Sequence, residues 1–211
     1  MSMEIQIAAI GLAGAVIGGL ISSLIPWWKE ASERAKTQER SGRYSAIRLV
    51  AVLELYAEQC AEVVSDDGMC EGRPAGRTEQ GEEYCDPQVA TPEIPTFPDD
   101  VDWQSIGAKS GELMYGILAL PNLAGEADRF IRSSTEHAFP PDYDEYFSAR
   151  HQAYAYLGAQ ALSLAKSLRK SFDLPDVAQR PWDWGWDADM FFQDKLKEAN
   201  KSNRAIDSSL P

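Results

Sequence analysis

The chain has 211 residues, of which 44% are hydrophobic and 25% charged, a composition typical of one globular domain. Its formal net charge of −13 disfavours nucleic acid as a partner, and its three cysteines are too few for a disulfide scaffold. The sequence contains no P-loop, no GxGxxG after a strand, no GxSxG and no HExxH, so it assigns no catalytic, cofactor-binding or metal-ligating residue. An enzyme is therefore the less favoured class.

The N-terminal segment predicts a membrane anchor. Residues 5–25 carry no charge, and a helix of that length spans about 30 Å, the thickness of a bilayer's hydrocarbon core. Trp27 and Trp28 follow this run, and tryptophan favours the headgroup level of a membrane. A cleaved signal peptide would need basic residues before the apolar run, and none is present. We therefore expect residues 1–26 to be a retained transmembrane helix that contacts lipid through residues 5–28.

The charges that flank the anchor predict its orientation. Residues 27–48 carry six basic and three acidic side chains, whereas the short N-terminal flank carries no basic one. The positive-inside rule then places the N-terminus outside and the main body in the cytoplasm. We therefore expect a single-pass protein of the cell (inner) membrane. Residues 27–45 are expected to form a helical stalk next to the membrane.

Small residues recur along the anchor at spacings of three and four, which places them on one helix face. They are Ala8, Gly11, Ala15, Gly18 and Ser22, and Gly14 with Gly18 also forms a GxxxG motif. Such a face lets two helix backbones approach closely in lipid. It predicts self-association of the anchor; the alternative is that Gly and Ala are simply common in membrane helices.

Three long amphipathic patterns and one short one follow the anchor. Apolar residues recur every three or four positions over 46–64, 103–131 and 143–168, and a short helix is expected over 187–200. Pro121 lies inside the second pattern and predicts a kink or two abutting helices. The predicted fold is all-α: one transmembrane helix, then an antiparallel three- to four-helix bundle with one long loop rich in Gly and Pro.

The bundle is expected to occupy residues 46–200 and to be followed by a flexible polar tail over 201–211. Asp100 or Asp102 can cap the start of the second pattern. Asp142, with Glu145 three residues later, resembles a capping box at the start of the third. No alternating strand pattern is present.

The long loop, residues 65–98, is rich in glycine and proline and is longer than connections in compact domains usually are. Its second half predicts extended, polyproline-like chain that runs back along the bundle. Cys70 and Cys85 lie in the loop and could form a disulfide in an oxidising compartment. A cytoplasmic location predicts that both thiols stay reduced.

Arg150 is the one charged residue in the apolar stripe of the third pattern. A buried guanidinium needs a partner, and Glu54 and Glu58 are candidates because they repeat on the first helix. His151 lies beside Arg150, and the four residues are predicted to form a polar cluster. The alternative is that the Arg150 stem packs on the bundle while its charged head reaches water.

Trp182, Trp184 and Trp186 lie within five residues of one another and alternate with Asp and Gly. They predict either a lid over one end of the bundle or an exposed surface for a protein partner. The neighbouring aspartates argue against stacking on nucleic-acid bases.

These features together predict a single-pass, membrane-anchored, acidic helical-bundle protein that acts by binding an unidentified protein partner or by forming a homo-oligomer. A first alternative is a membrane-tethered enzyme or small-ligand binder with a polar pocket around Arg150. A second is an envelope protein of the opposite topology, with a Cys70–Cys85 disulfide.

Overall fold

The structure is a computed structural model with five helices and one hairpin among the residues it describes. These residues are 3–66, 73–77, 81, 83–86, 89–135, 143–176 and 187–209, and the side chains of residues before Trp28 lie outside the described part. The helices account for most of the described residues, so the predicted helical bundle is confirmed at that level.

Helix α1 (Met3–Ser65) is one continuous helix of 63 residues, about 95 Å long at the usual helical rise. It ends at the position where the first amphipathic pattern predicts an end. The predicted apolar stripe is buried at all six positions, which are Ala46, Val50, Leu53, Ala57, Cys60 and Val64.

Helix α4 (Asp144–Ser171) is the centre of the bundle, since it packs against α1, α3 (Gly111–Thr135) and α5 (Ala188–Ser209). It runs antiparallel to α1. His151 near its start lies 3.0 Å from the Asp66 carbonyl, at the end of α1. Arg43, much earlier in α1, donates to the carbonyl of Asp173, just after α4 ends.

The chain from residue 89 to residue 102 runs back along the bundle, as the proline-rich sequence predicts. The Ala90 carbonyl lies next to Arg150 of α4, and Asp100 pairs with Arg48 of α1 at 2.6 Å. The Asp102 amide donates to Ser45 Oγ at 2.9 Å. This segment therefore crosses the outside of the α1–α4 pair without forming a helix or strand.

The second amphipathic pattern is two helices, α2 (Trp103–Lys109) and α3, and they are separated at Ser110 rather than at Pro121. Asp102 caps α2, because its carboxylate accepts from the Ser105 amide at 3.0 Å. Ser110 adopts an extended conformation, and its hydroxyl accepts from the Leu113 amide at 3.2 Å. The break therefore has a local cause in the Ser110 cap, whereas Pro121 lies within α3.

The expectation that the long loop contains no strand is wrong. Strand β1 (Arg73–Arg77) pairs with β2 (Glu83–Asp86) as an antiparallel hairpin with a bulge between Pro74 and Gly76. Gly76 lets the Tyr84 side chain lie close to the backbone there, since a Cβ on it would lie 2.8 Å from the Tyr84 hydroxyl. Short strands that contain glycine and proline have no alternating pattern, so periodicity cannot predict them.

Two helix ends differ from the sequence expectation. The residue before α4 is Tyr143, which makes no side-chain capping bond, and Asp142 lies outside the described residues. Helix α5 continues to Ser209, nine residues past the predicted end, and Asp187 caps its start by accepting from the amides of Asp189 and Met190.

Within the part of the chain that the structure describes, no helix combines the length and the apolar character that a membrane crossing requires. The predicted anchor lies among residues whose side chains are outside that part, and so does its packing face of Gly11, Gly14, Ala15, Gly18 and Ser22. Both stay predictions.

Candidate functional site

Two neighbouring concavities lie on the face of the bundle formed by α3 and α4. One has a volume of about 480 Å³ and extends to α5, and the other has a volume of about 370 Å³. They share Leu123 and Glu126, so they form one continuous depression, here called the α3–α4 groove. The residues that line it are Tyr115, Gly116, Ala119, Leu120, Asn122, Leu123, Glu126, Ala127, Phe130, Gln152, Ala153, Tyr156, Leu157, Gln160, Leu164 and Leu196.

The α3–α4 groove follows α3 from Tyr115 to Phe130, which is about 22 Å or four helical turns. Its width depends on small residues. A Cβ on Gly116 would lie 2.9 Å from Leu164 Cδ2, so glycine allows α3 to approach α4 at this position. Ala119, Ala127 and Ala153 line the rest of its length with small side chains that leave the groove open.

Large apolar side chains remain exposed along the α3–α4 groove. Tyr115 is 75% exposed, Phe130 51% and Tyr156 46%. The polar side chains of Glu126 and Gln152 line the same groove. Exposed aromatic side chains on a partly apolar surface are typical of a protein-binding site.

Helix α5 forms one wall of the α3–α4 groove through Leu196 and is held on α4 by Phe192. The Phe192 ring is fully buried against Gly158, where a Cβ would lie only 2.3 Å from the ring's Cζ. Lys166 of α4 forms an ion pair with Asp189 at the start of α5. The seat of Phe192 on Gly158 therefore fixes the position of the α5 wall.

A polar cluster lies inside the bundle around Arg150. Arg150 is 1% exposed, its guanidinium lies over the Tyr154 ring at 5.4 Å, and its Nη2 donates to the Ala90 carbonyl. Among the described residues, its Nε finds no hydrogen-bond partner. The charged head is thus buried rather than directed to water, and part of its bonding capacity is unused.

Three further side chains extend this cluster from Tyr154 towards α1 and α3. The Tyr154 hydroxyl donates to Asp128 Oδ1 at 3.1 Å. Burial and the neighbouring Asp128 carboxylate raise the pKa of Tyr154 above its usual value. Burial likewise raises the pKa of Tyr56 above its usual value and raises that of the Cys60 thiol to about 12. The side chains of Tyr154, Tyr56 and Cys60 therefore stay protonated and neutral at physiological pH.

The predicted pairing of Arg150 with Glu54 is wrong. Glu54 instead forms a two-pronged ion pair with Arg169, with Nε–Oε1 and Nη2–Oε2 distances of 2.9 Å each. Arg169 and Glu54 are only 17% and 30% exposed, so this pair is partly shielded from solvent. The planar guanidinium of Arg169 matches the carboxylate fork, whereas Arg150 uses a backbone carbonyl.

Among the described residues, neither of the other two members of the predicted cluster forms an ion pair with the Arg150 guanidinium. Glu58 is exposed, and no ion pair among the described residues joins it to Arg150. His151 contacts the Asp66 carbonyl at the end of α1. None of the three cavities described for this chain, including one of about 440 Å³ near Phe172, is lined by Arg150.

Several predicted residues fall outside the described part of the chain. They are Cys70, Trp182, Trp184 and Trp186. Cys85 is half-buried with a free thiol. Its pairing with Cys70 stays a prediction, as does the role of the three tryptophans. Within the described ranges, no three His, Cys, Asp or Glu side chains converge as metal ligands would.

The sequence reasoning missed the α3–α4 groove, although its outer residues carried a weak signal. Tyr115 and Phe130 lie off the apolar stripe of α3, and such residues suggest a second contact surface. Single exposed apolar residues are common, so the signal becomes specific only when α4 and α5 are placed beside them.

No protein-family model, curated protein or solved structure matches this chain. The features of the molecule that bear on its function are the α3–α4 groove, the buried Arg150 cluster and the N-terminal sequence.

Proposed function

We propose that this protein is a single-pass membrane protein whose helical bundle binds a partner protein. The α3–α4 groove carries the proposal. It extends over about four helical turns, its lining includes several small residues, and it keeps Tyr115, Phe130 and Tyr156 exposed. A groove between two helices with this shape suits an amphipathic helix, whose apolar face contacts it at every third or fourth residue.

The net charge of the chain indicates which charge a helix bound in the groove would carry. The molecule carries a formal net charge of −13, and the exposed Glu126 lies where the two parts of the groove meet. A helix with basic residues beside its apolar face would be attracted, and an acidic one would be repelled. We therefore assign the groove to a basic amphipathic helix of another protein.

Membrane attachment is the second part of the proposal. It is supported by the uncharged run at residues 5–25, by Trp27 and Trp28, and by the continuous helix from Met3 to Ser65. The basic excess over residues 27–48 supports a cytoplasmic body. The anchor and stalk would then hold the bundle at a fixed distance from the membrane and limit the search for a partner to the membrane surface.

The membrane part is tested by extracting membranes with carbonate. The full chain is expected in the pellet, because a spanning helix is not released by alkaline salt. In intact cells, an impermeant maleimide is expected to leave the free Cys85 thiol unlabelled. Full-length protein in the supernatant would exclude the anchor, and labelling of Cys85 from outside would reverse the orientation.

The groove is tested by photo-cross-linking in cells. p-Benzoylphenylalanine is placed at Tyr156, inside the groove, or at Met190, which is 60% exposed on α5 and does not line it. Position 156 is expected to give one adduct, and mass spectrometry should map it to an amphipathic segment with net positive charge. Position 190 should give at least about tenfold less of this adduct, since a surface contact away from the site contributes little.

Three other outcomes would contradict the proposed groove partner. The first is an adduct between position 156 and a differently tagged second copy of this chain. The second is an adduct with lipid alone. The third is the same set of adducts from positions 156 and 190, which would indicate random collisions.

A further inference from the structure

Helix α5 packs mainly on α4 and is held there chiefly by one side chain. Among the described side chains of α5, which are those of residues 188–199 and 201, only that of Phe192 is buried. Phe191 and Leu196 are only partly buried against the core. An element with few buried apolar contacts needs less free energy to open locally than the rest of the fold.

The polar contacts of α5 add little to this attachment. The ion pair between α5 and α4 joins Lys166 to Asp189, whose side chains are 56% and 41% exposed. The other ion pairs of α5 among the described residues join side chains of α5 to each other. Exposed ion pairs stabilise only slightly, because water screens the charges. The docking of α5 on α4 therefore depends mainly on Phe192.

One residue connects the docking of α5 to the α3–α4 groove. Leu196 lies four residues, or about one helical turn, after Phe192, and its side chain lines the same cavity as Phe130 and Ala153. A helix bound in that cavity contacts Leu196 only while Phe192 is seated on Gly158, because release of α5 would remove this wall.

We infer that α5 is a clamp, so that its docking on α4 and the binding of the partner helix in the α3–α4 groove stabilise each other. This inference rests on the groove part of the proposed function. A ligand that contacts one state of a two-state element shifts the element towards that state. The coupling is reciprocal, so docked α5 raises the affinity for the partner by the same factor by which the bound partner favours docking.

A coupling of the opposite sign would require the partner to displace α5. The partner helix would then place an apolar side chain on Gly158 in the position that Phe192 occupies. The structure favours the clamp, because the cavity of about 480 Å³ beside Leu196 is already open while Phe192 is buried in its seat. The partner can therefore reach the groove without moving α5.

The test measures occupancy of the groove at a position away from α5. p-Benzoylphenylalanine is placed at Tyr115, in the cavity of about 370 Å³ whose described lining residues belong to α3 and α4. Leu196→Ala removes the contact with the partner but keeps the Phe192 seat, so it should lower the adduct yield in cells about fivefold or more. Phe192→Ala should lower the yield at least as much. Met190→Ala, at a 60% exposed side chain of α5 that does not line the groove, should leave it unchanged.

The reciprocal effect is measured by hydrogen exchange. The purified adduct formed at position 115 is compared with the same chain kept in the dark. The amides of α5 should exchange about fivefold more slowly in the adduct, because the bound partner favours docking.

Three results would overturn the clamp while leaving the groove partner intact. The first is an adduct yield at position 115 that neither Leu196→Ala nor Phe192→Ala changes. The second is a loss of adduct with Phe192→Ala alone, which would mean that α5 supports the fold without contacting the partner. The third is unchanged or faster exchange of α5 in the adduct. The absence of any adduct from the chain altered only at position 115 would contradict the groove partner and the clamp together.

Discussion

Replacing Arg150 by alanine is expected to lower the free energy of unfolding by roughly 3–5 kcal/mol. The side chain is 1% exposed, so its removal leaves a cavity inside the protein. It also removes the donor to the Ala90 carbonyl and the cation over the Tyr154 ring. The measurement is urea unfolding of the full chain in mild detergent, followed by circular dichroism.

Arg150→Met is the matched control, because it keeps most of the stem volume and removes a guanidinium whose Nε is unpaired among the described residues. Its cost is expected to be smaller by about 2 kcal/mol or more, since an apolar residue of similar size often replaces a buried charge without loss. A loss below about 1 kcal/mol for Arg150→Ala would mean that its guanidinium reaches solvent, contrary to the structure.

Urea unfolding of double variants also shows which of the two arginines, Arg150 or Arg169, interacts with Glu54. Glu54→Gln and Arg150→Ala should have additive effects, because Glu54 is bonded to Arg169. Glu54→Gln and Arg169→Ala should be non-additive, since either change alone breaks the same two-pronged pair. Additivity of the second pair together with coupling of the first would restore the pairing that the sequence predicts.

Replacing Phe192 by alanine is expected to release α5 from α4. The buried ring is its main contact with the core, and truncation of a buried phenylalanine costs about 3–5 kcal/mol. A loss of 3 kcal/mol corresponds to about a 100-fold fall in hydrogen-exchange protection of α5 amides. Met190→Ala is the control, because Met190 is 60% exposed on the same helix and its loss should change protection little.

Gly158→Ala should act on the same contact from the other side, since its methyl group would lie 2.3 Å from the Phe192 ring. Gly125→Ala in α3 is the matched substitution, because its Cβ would meet only Arg129 Nη1 at 3.9 Å. Gly125→Ala should stabilise its helix by up to about 1 kcal/mol. Unchanged α5 protection in both Phe192→Ala and Gly158→Ala would show that α5 does not depend on this seat.

The apolar stripes that form the core could be predicted, because the spacing of apolar residues within one helix can be read directly from the sequence. Ala46 to Val64 repeats every three or four residues, and every member is buried. The position of Arg150 in such a stripe left two readings open, a buried charge or a head that reaches water, and the structure has it buried. Its acceptor could not be predicted, because it is the backbone carbonyl of Ala90, and backbone groups carry no sequence signal.

The break at Ser110 and the α3–α4 groove depend on information that the period does not contain. Pro121 was the stronger helix-breaking signal, yet the helix ends where the Ser110 hydroxyl caps the next one. Gly116 and Ala153 line the groove only because the packing of α3 on α4 brings them to the same face. Sequence spacing within one helix says nothing about that alignment.

The central claim, that the α3–α4 groove binds a partner helix, is tested most directly by blocking the groove at a distance from the probe. p-Benzoylphenylalanine at Phe130 reports the adduct, and Ala119→Trp fills the other end of the groove. Ala108→Trp, at an exposed alanine of α2, adds the same bulk elsewhere. Both variants should keep the unfolding midpoint of the unblocked chain. Ala119→Trp should then lower the adduct yield about tenfold or more, which corresponds to at least about 1.4 kcal/mol of lost binding free energy. Ala108→Trp should leave the adduct yield unaltered. The same yield from both variants as from the unblocked chain would show that no helix lies along the groove.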